Sequence, residues 1–262
     1  MKVIVPIKQV YDRRTVRVSR SRGILDTREA EWMMNPGDRY ALEEALKLKD
    51  EQGAHVVVLS MGPTQAEDIL REALAMNADE AVLLTDEVFS DVDASTAVMV
   101  VGEAIKKMGD CELILTGRRA AGDGTGEFCP RLAQYLGLPH VLRASQLTLD
   151  DGKLTARRTL SSGYAMLEVN LPVVVSVDEG ANRPRHPSLP GSIAAYDENT
   201  VAVWGAEDLG ASCGMIAESS CTEVRTTFAG PERERGRTIS SEATDAAREL
   251  LAELRTRGLL PR

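Results

Sequence analysis

The sequence predicts an α/β fold of the doubly wound type: a mostly parallel, Rossmann-like sheet suited to adenine nucleotides, with an antiparallel hairpin and an extended C-terminal tail. Three observations predict it. Short apolar runs alternate with amphipathic helical patterns through the first 136 residues, and such alternation buries a parallel sheet between two helical layers. A Gly-rich turn follows the fourth run and leads into a helix. An Asp-Gly pair then joins two alternating runs, which is the signature of a hairpin.

The elements follow in order. Residues 3–7 form the first apolar, β-rich run. Residues 11–34 alternate charge and apolarity and predict a hairpin or an excursion. Asn35-Pro36-Gly37-Asp38 is turn chemistry, and Asn35 or Asp38 can cap the helix expected over 40–50, whose apolar positions recur at i, i+3 and i+4. A second strand over 55–61, the turn Gly62-Pro63-Thr64, a helix over 65–76, a strand over 81–84, a helix over 93–108 and a strand over 111–116 complete the alternation. The Gly-rich turn, 117–130, precedes a helical pattern over 131–136. Residues 146–168 predict the antiparallel hairpin around Asp151-Gly152, and residues 171–177 a strand that rejoins the sheet. Arg183-Pro184-Arg185-His186-Pro187-Ser188-Leu189-Pro190 predicts a protruding loop, because proline removes ladder donors. A short β run near 224–228, a charged link over 231–237 and an amphipathic helix over 242–257 close the chain.

Composition bounds the function. With 262 residues and 43% hydrophobic content, the chain can bury a core without metal or disulfide staples. A net charge of −9 argues against a nucleic-acid partner. Cys111, Cys129, Cys213 and Cys221 lack zinc or redox spacing and read as reduced thiols. The N-terminal apolar stretch is too short for a signal peptide, and no run reaches the ~18 apolar residues of a membrane span, so a cytoplasmic protein without direct membrane insertion is expected.

In an open parallel sheet, ligands bind beyond the carboxyl ends of the strands, where the strand order reverses. Four loops are expected to meet there: residues 6–9, 35–38, 61–64 and the Gly-rich turn. In that turn, small residues let backbone N–H groups approach a phosphate, and the dipole of the next helix favours negative charge. The spacing matches neither the P-loop nor the dinucleotide fingerprint, so a plain connecting loop remains open. Asp38 reads either as a helix cap or as a nucleotide ligand, and Met61 either as core or as a backbone contact. There is no nucleophile elbow, metal motif or other catalytic constellation. An adenine-nucleotide hydrolase or ligase and a stress-type nucleotide sensor remain alternatives on this layout.

Several segments, in this order, resemble the β subunit of electron transfer flavoproteins: Val5-Pro6-Ile7-Lys8-Gln9-Val10; Met34-Asn35-Pro36-Gly37-Asp38; Ser60-Met61-Gly62-Pro63 before Arg71-Glu72-Ala73-Leu74-Ala75-Met76; Gly117-Arg118 with the Gly-rich loop; Leu136-Gly137-Leu138-Pro139; Leu171-Pro172-Val173-Val174; and Asn182-Arg183-Pro184-Arg185 with Ser188-Leu189-Pro190. The resemblance covers residues 1 to about 205. It implies a nucleotide-binding domain over 1–205 and, over 206–262, an arm and helix packing on an α subunit that carries most of the site for a redox-active FAD. It implies electron transfer from flavin dehydrogenases such as acyl-CoA dehydrogenases to a quinone oxidoreductase or similar acceptor. In this subunit it implies AMP or, in the electron-bifurcating branch, a second FAD.

By resemblance the nucleotide site falls on Pro6, Asn35, Pro36, Asp38, Met61, Arg119, Asp123, Gly124, Thr125, Gly126, Glu127 and Phe128. The loop departs from the family pattern: Arg119 stands at a usual Gln position, Ala121 at an Ile, Gly122 at an Asp, and Glu127 at a common Gln. Arg119 either neutralises a second phosphate or pairs with Asp123 or Glu127. Thr125 and Pro130 look closer to the bifurcating branch. The resemblance also makes Leu189, flanked by Pro187 and Ser188, the anchor for partner dehydrogenases. Trp204 either stacks on a flavin or anchors the tail.

Overall fold

Strand β1 (Lys2–Pro6) is the central element, with Val3, Ile4 and Val5 fully buried. The computed structural model describes residues 1–19, 24–90, 92–121, 124–197, 201–210, 220–222, 225 and 236–260, in two compact units, Met1–Thr227 and Phe228–Arg262.

In the first unit, β1 pairs in parallel with β6 (His55–Met61) on one side and β8 (Leu113–Gly117) on the other. Beyond β6 come β7 (Glu80–Leu84) and β13 (Val201–Trp204); beyond β8 come β12 (Val173–Val177) and β9 (His140–Asp150), all parallel to their neighbours. An antiparallel pair, β10 (Lys153–Leu160) and β11 (Gly163–Asn170), extends this side into a nine-stranded sheet. The chain leaves β1 toward β6 and later returns to its other flank as β8, so the strand order reverses between β1 and β8.

The apolar runs are buried because each face of the sheet has its own helices. Val3, Val5, Val56 and Val58 pack with Leu42 and Leu46 of α1 (Pro36–Gln52) and Leu70 of α2 (Glu67–Ala75). Ile4, Val57, Leu59 and Ile114 pack with Val101 and Ile105 of α3 (Ala94–Met108) and Leu132 of α4 (Phe128–Leu136). The period of two along each strand divides the same valine-rich text between two cores. Local signals fix the ends: Asp93 caps α3 by accepting from the Thr96 N–H at 2.9 Å, and the left-handed Gly53 and Gly137 end α1 and α4.

Residues 11–34 are indeed an excursion. Short β2 (Gln9–Tyr11) pairs antiparallel with β5 (Trp32–Met34), and β3 (Arg17–Ser19) with β4 (Ile24–Asp26). Tyr11 lies opposite Trp32, and their rings stack 3.8 Å apart. The Asp151-Gly152 turn has both residues at positive φ, as a tight hairpin requires.

One expectation requires correction. The stretch 183–188 is a loop as expected but does not protrude: Arg185 is held by Glu43 (3.0 Å) and Asp50 (2.7 Å) of α1, and the Asn182 side chain donates to Glu44 at 2.8 Å. The Pro-Ser-Leu-Pro sequence is the start of a helix, α5 (Leu189–Asp197). Ser188 Oγ accepts from the Gly191 N–H at 3.0 Å, and Pro190 sits in the first turn, where its missing donor costs nothing. The expected β run near 224–228 and the charged link over 231–237 lie almost wholly outside the described residues. In the second unit, α6 (Ala243–Thr256) carries ion pairs from Arg237 to Glu249 and Glu253.

Candidate functional site

At the carboxyl edge of the sheet, hydrogen bonds tie three of the four expected loops together and reach the turn just beyond the fourth. The Lys8 N–H, just beyond β1, donates to Asp38 Oδ2 at 2.8 Å, and the Asn35 N–H donates to the Lys8 carbonyl at 2.8 Å. Asn35 Nδ2 donates to the Arg119 carbonyl at 3.0 Å, while Asn35 Oδ1 accepts from the Ala121 N–H at 3.0 Å. Gln9 Nε2 reaches the Gln65 carbonyl at 3.1 Å, linking the turn after β6.

Neither Asn35 nor Asp38 serves as the expected side-chain cap. Asn35 occupies the N-cap position of α1 but makes no side-chain cap bond, because its amide is committed to the loop after β8. Asp38 is buried within the first turn, and its carboxylate points back to Asn35 Nδ2 (2.9 Å) and to Lys8. Burial pushes this carboxyl up to about 7, against the opposing pull of the Asn35, Lys8 and Gly117 donors. Gly117 must lack a side chain, since a Cβ there would fall 2.2 Å from Asp38 Oδ1 and 2.7 Å from the Gly37 carbonyl carbon.

Next to this junction lies a cleft of about 440 Å³, lined by Asn35, Pro36, Gly37, Arg119, Ala120, Ala121 and Gly124 on one side. Tyr11, Asp12, Arg13, Arg14 and Met33 of the excursion, with Glu179 after β12, line the other. Its size falls within the roughly 300–1,000 Å³ of small-molecule sites. Three guanidiniums face two carboxylates here. Arg14 pairs with Asp12 at 2.6 Å and holds it below the usual carboxylate range. Arg119 stands 3.5 Å from Glu179, and Arg13 donates to the Ala121 carbonyl. The wall therefore carries a net positive charge on an acidic chain, as an anion site requires.

The structure distributes the twelve predicted positions. Asn35, Pro36, Arg119 and Gly124 line the cleft. Pro6 and Met61 end β1 and β6, and Met61 packs on the core beneath α3 and α4. Asp38 lies behind the cleft wall as a buried bracket. Asp123 lies outside the described residues. Gly124 and Gly126 adopt positive φ, the Gly124 N–H closes on the Ala120 carbonyl at 3.0 Å, and Thr125 Oγ1 accepts from the Glu127 N–H at 3.4 Å. Glu127 is at the N-cap of α4 without a side-chain cap bond, and its carboxylate pairs with Arg131 at 2.8 Å. Phe128 begins α4 and packs on the core. Arg119 thus pairs with Glu179, and Glu127 is taken by Arg131. Sequence reasoning did not single out Tyr11, Asp12, Arg13, Arg14 or Glu179. The β2–β5 ladder brings residues 11–14 to the cleft, and no local spacing announces a pairing across the excursion.

Leu189 is the first residue of α5 and is 76% exposed. Ile193 and Tyr196, one and two turns on, are exposed as well, while Ala195 is buried toward α2. Pro187 lies half-buried just ahead of the helix. Trp204 packs at the end of β13 on the core, with the Lys107 ammonium 4.5 Å from its ring. Among the described residues no group of three His, Cys, Asp or Glu is arranged to hold a metal, and no helix is long and apolar enough to cross a membrane.

The fold is a doubly wound α/β layout whose loops gather over a cationic cleft at the strand-order reversal, the place where such sheets hold their ligands. The sequence profile of the electron transfer flavoprotein domain matches residues 22–208. The electron transfer flavoprotein subunit beta of Clostridium acetobutylicum is 36% identical over 256 residues, spanning 97% of this chain and 98% of the relative. That of Thermoanaerobacterium thermosaccharolyticum is 34% identical over 261 residues, 99% and 100% of the two chains. The caffeyl-CoA reductase-Etf complex subunit CarD of Acetobacterium woodii is 34% identical over 265 residues, again 99% and 100%. The chain belongs to the electron transfer flavoprotein β-subunit family.

Proposed function

We propose that this chain is the β subunit of a heterodimeric, cytoplasmic electron transfer flavoprotein and binds an adenine nucleotide, AMP or a second FAD, at the carboxyl edge of its sheet. The observation that carries the reading is the convergence of the Asn35–Asp38 turn and the Gly-rich loop on one cationic cleft at the strand-order reversal. The residues fit such a ligand. Gly124 and Gly126 take backbone conformations that side chains disfavour, which leaves the loop open to a phosphate, and α4 begins beside it with no side chain capping its N-terminus. Arg13 and Arg119 supply guanidiniums for phosphate oxygens, and Asn35 and Pro36 complete the lining. FAD supplies the electron-transfer chemistry when bound. The chain's own residues bind, orient and shield the nucleotide and present surfaces to partners.

The exposed stripe Leu189, Ile193 and Tyr196 on α5 is the proposed docking face for flavin dehydrogenases such as acyl-CoA dehydrogenases, with Pro187 and Ser188 fixing its start. A quinone oxidoreductase or similar acceptor takes the electrons onward. Residues 206–262 are the proposed arm along the α subunit. The test is to co-express the chain with its α subunit, denature the purified complex and quantify nucleotides per heterodimer. One FAD with one AMP marks a single-flavin carrier. Two FAD and no AMP mark a second redox centre in this subunit. A complex without any nucleotide beyond the α-subunit flavin would overturn the proposed site.

A further inference from the structure

The junction behind the cleft has a polarity that packing alone does not require. Two donors from separate segments converge on the Asp38 carboxylate, the Lys8 N–H from the end of β1 and the Asn35 amide from the start of α1, and the Gly117 backbone at the end of β8 packs directly against it. Asn35 is then fully used. Its nitrogen serves Asp38 and the Arg119 carbonyl, and its oxygen takes the Ala121 N–H. The backbones meet so closely that a Cβ is excluded at Gly117 and would be tightly crowded at Gly37. At Gly117 a Cβ would strike Asp38, and at Gly37 it would lie 3.1 Å from the Arg119 carbonyl oxygen. The loop segment 119–121 that lines the cleft is therefore fixed at the Arg119 carbonyl and the Ala121 N–H by one side chain, whose own orientation is fixed by a buried carboxylate.

We infer that Asp38 and Asn35 are positioning residues, a buried relay that holds segment 117–121 in its nucleotide-receiving conformation without Asp38 touching the ligand. The inference rests on the nucleotide reading above for its functional consequence and on the hydrogen-bond chain alone for its structural one. Replacing Asp38 by Asn keeps the shape but turns one acceptor oxygen into a donor. That group then faces a donor from Asn35 or Lys8, and leaving a buried donor unpaired loosens whatever it held. Replacing Asn35 by Ser cuts the relay one step later. It leaves Asp38 with Lys8 but removes both tethers on the loop.

The experiment uses the full chain in complex with its α subunit. Amide exchange is followed by mass spectrometry over peptides spanning 117–121, alongside the dissociation rate of AMP and the thermal unfolding midpoint. The expected result for both Asp38→Asn and Asn35→Ser is exchange in 117–121 faster by about tenfold, as for the loss of one net hydrogen bond. AMP release should accelerate by a similar factor, with exchange in β6 and β7 unchanged. Exchange over 117–121 identical to wild type in both variants would overturn the relay. Should Asp38→Asn fail to fold, Asn35→Ser decides alone. A wild-type complex that binds neither AMP nor a second FAD would sink the nucleotide reading, whereas the exchange comparison would still decide the relay. Faster exchange with unchanged AMP release would remove the positioning role.

Discussion

Gly117 shows how a single residue fixes the site. It ends β8 at the point where the sheet order reverses, and the space its missing side chain leaves is filled by the Asp38 carboxylate and the Gly37 backbone. Because the nearest neighbours include backbone atoms of α1, a methyl group cannot be absorbed by a rotamer change. Gly117→Ala is expected to destabilise the first unit by about 1–3 kcal/mol through overpacking. Gly124 makes the opposite case. It sits at φ +65° with nothing near its Cβ position, so Gly124→Ala costs only backbone strain, about 1–2 kcal/mol. Urea unfolding of the two variants separates these causes. Any restoration of stability to Gly117→Ala by shortening Asp38 to Ala would confirm that the clash is with that carboxylate, and additive losses would refute it.

At the scale of elements, helix α5 most changes how the sequence is to be understood. A stretch with three prolines between 184 and 190 reads as a loop when proline is counted only as a breaker of ladders. Yet Ser188 followed by Pro190 is also a helix start, and tertiary contact decides between the two meanings. The first turn of α5 lies against the end of α2, where a Cβ on Gly191 would fall 2.4 Å from the Ala75 carbonyl oxygen, and Arg71 donates to the Ala195 carbonyl at 2.5 Å.

Two substitutions distinguish fold from docking here. Ser188→Ala removes the cap and is expected to cost about 1 kcal/mol of stability. Leu189→Ala removes only exposed surface, so stability and nucleotide content should stay at wild-type levels while reduction by a partner dehydrogenase slows. Equal dehydrogenase rates in wild type and Leu189→Ala would defeat the docking role.

The same reasoning explains what was legible elsewhere. Strands of continuous valine and leucine, such as 55–61, and the Asp151-Gly152 turn carry their structure locally and were readable to within a residue or two. The direction of the Asn35 and Asp38 side chains was not, because it depends on Arg119 and Ala121, more than eighty positions away. Nor was the far wall of the cleft, which a three-residue ladder between β2 and β5 brings into place.

For the whole molecule, the question is why an acidic chain of net charge −9 carries a separate unit whose helix α6 buries none of its residues. A 14-residue helix is at the edge of stability in water even with good helix formers. The ion pairs of Arg237 with Glu249 and Glu253, partly exposed, add little to that. Its apolar positions Leu250, Leu251 and Leu254 fall on neighbouring turns, and Leu250 and Leu251 are about half exposed. Such a stripe is consistent with an element that completes its burial on another chain. The first unit, by contrast, has two cores, one on each face of the sheet, built among the described residues from its own side chains. Truncation after residue 227 should therefore leave the unfolding midpoint of the first unit within a few degrees of wild type. It should also weaken association with the α subunit by on the order of a hundredfold, the equivalent of losing one or two buried leucines at about 1.5–3 kcal/mol each. Calorimetric unfolding together with titration of the α subunit measures both quantities. Loss of the first unit's cooperative transition would show that the tail belongs to the domain core, and undiminished affinity would show that the arm lies elsewhere than on the α subunit.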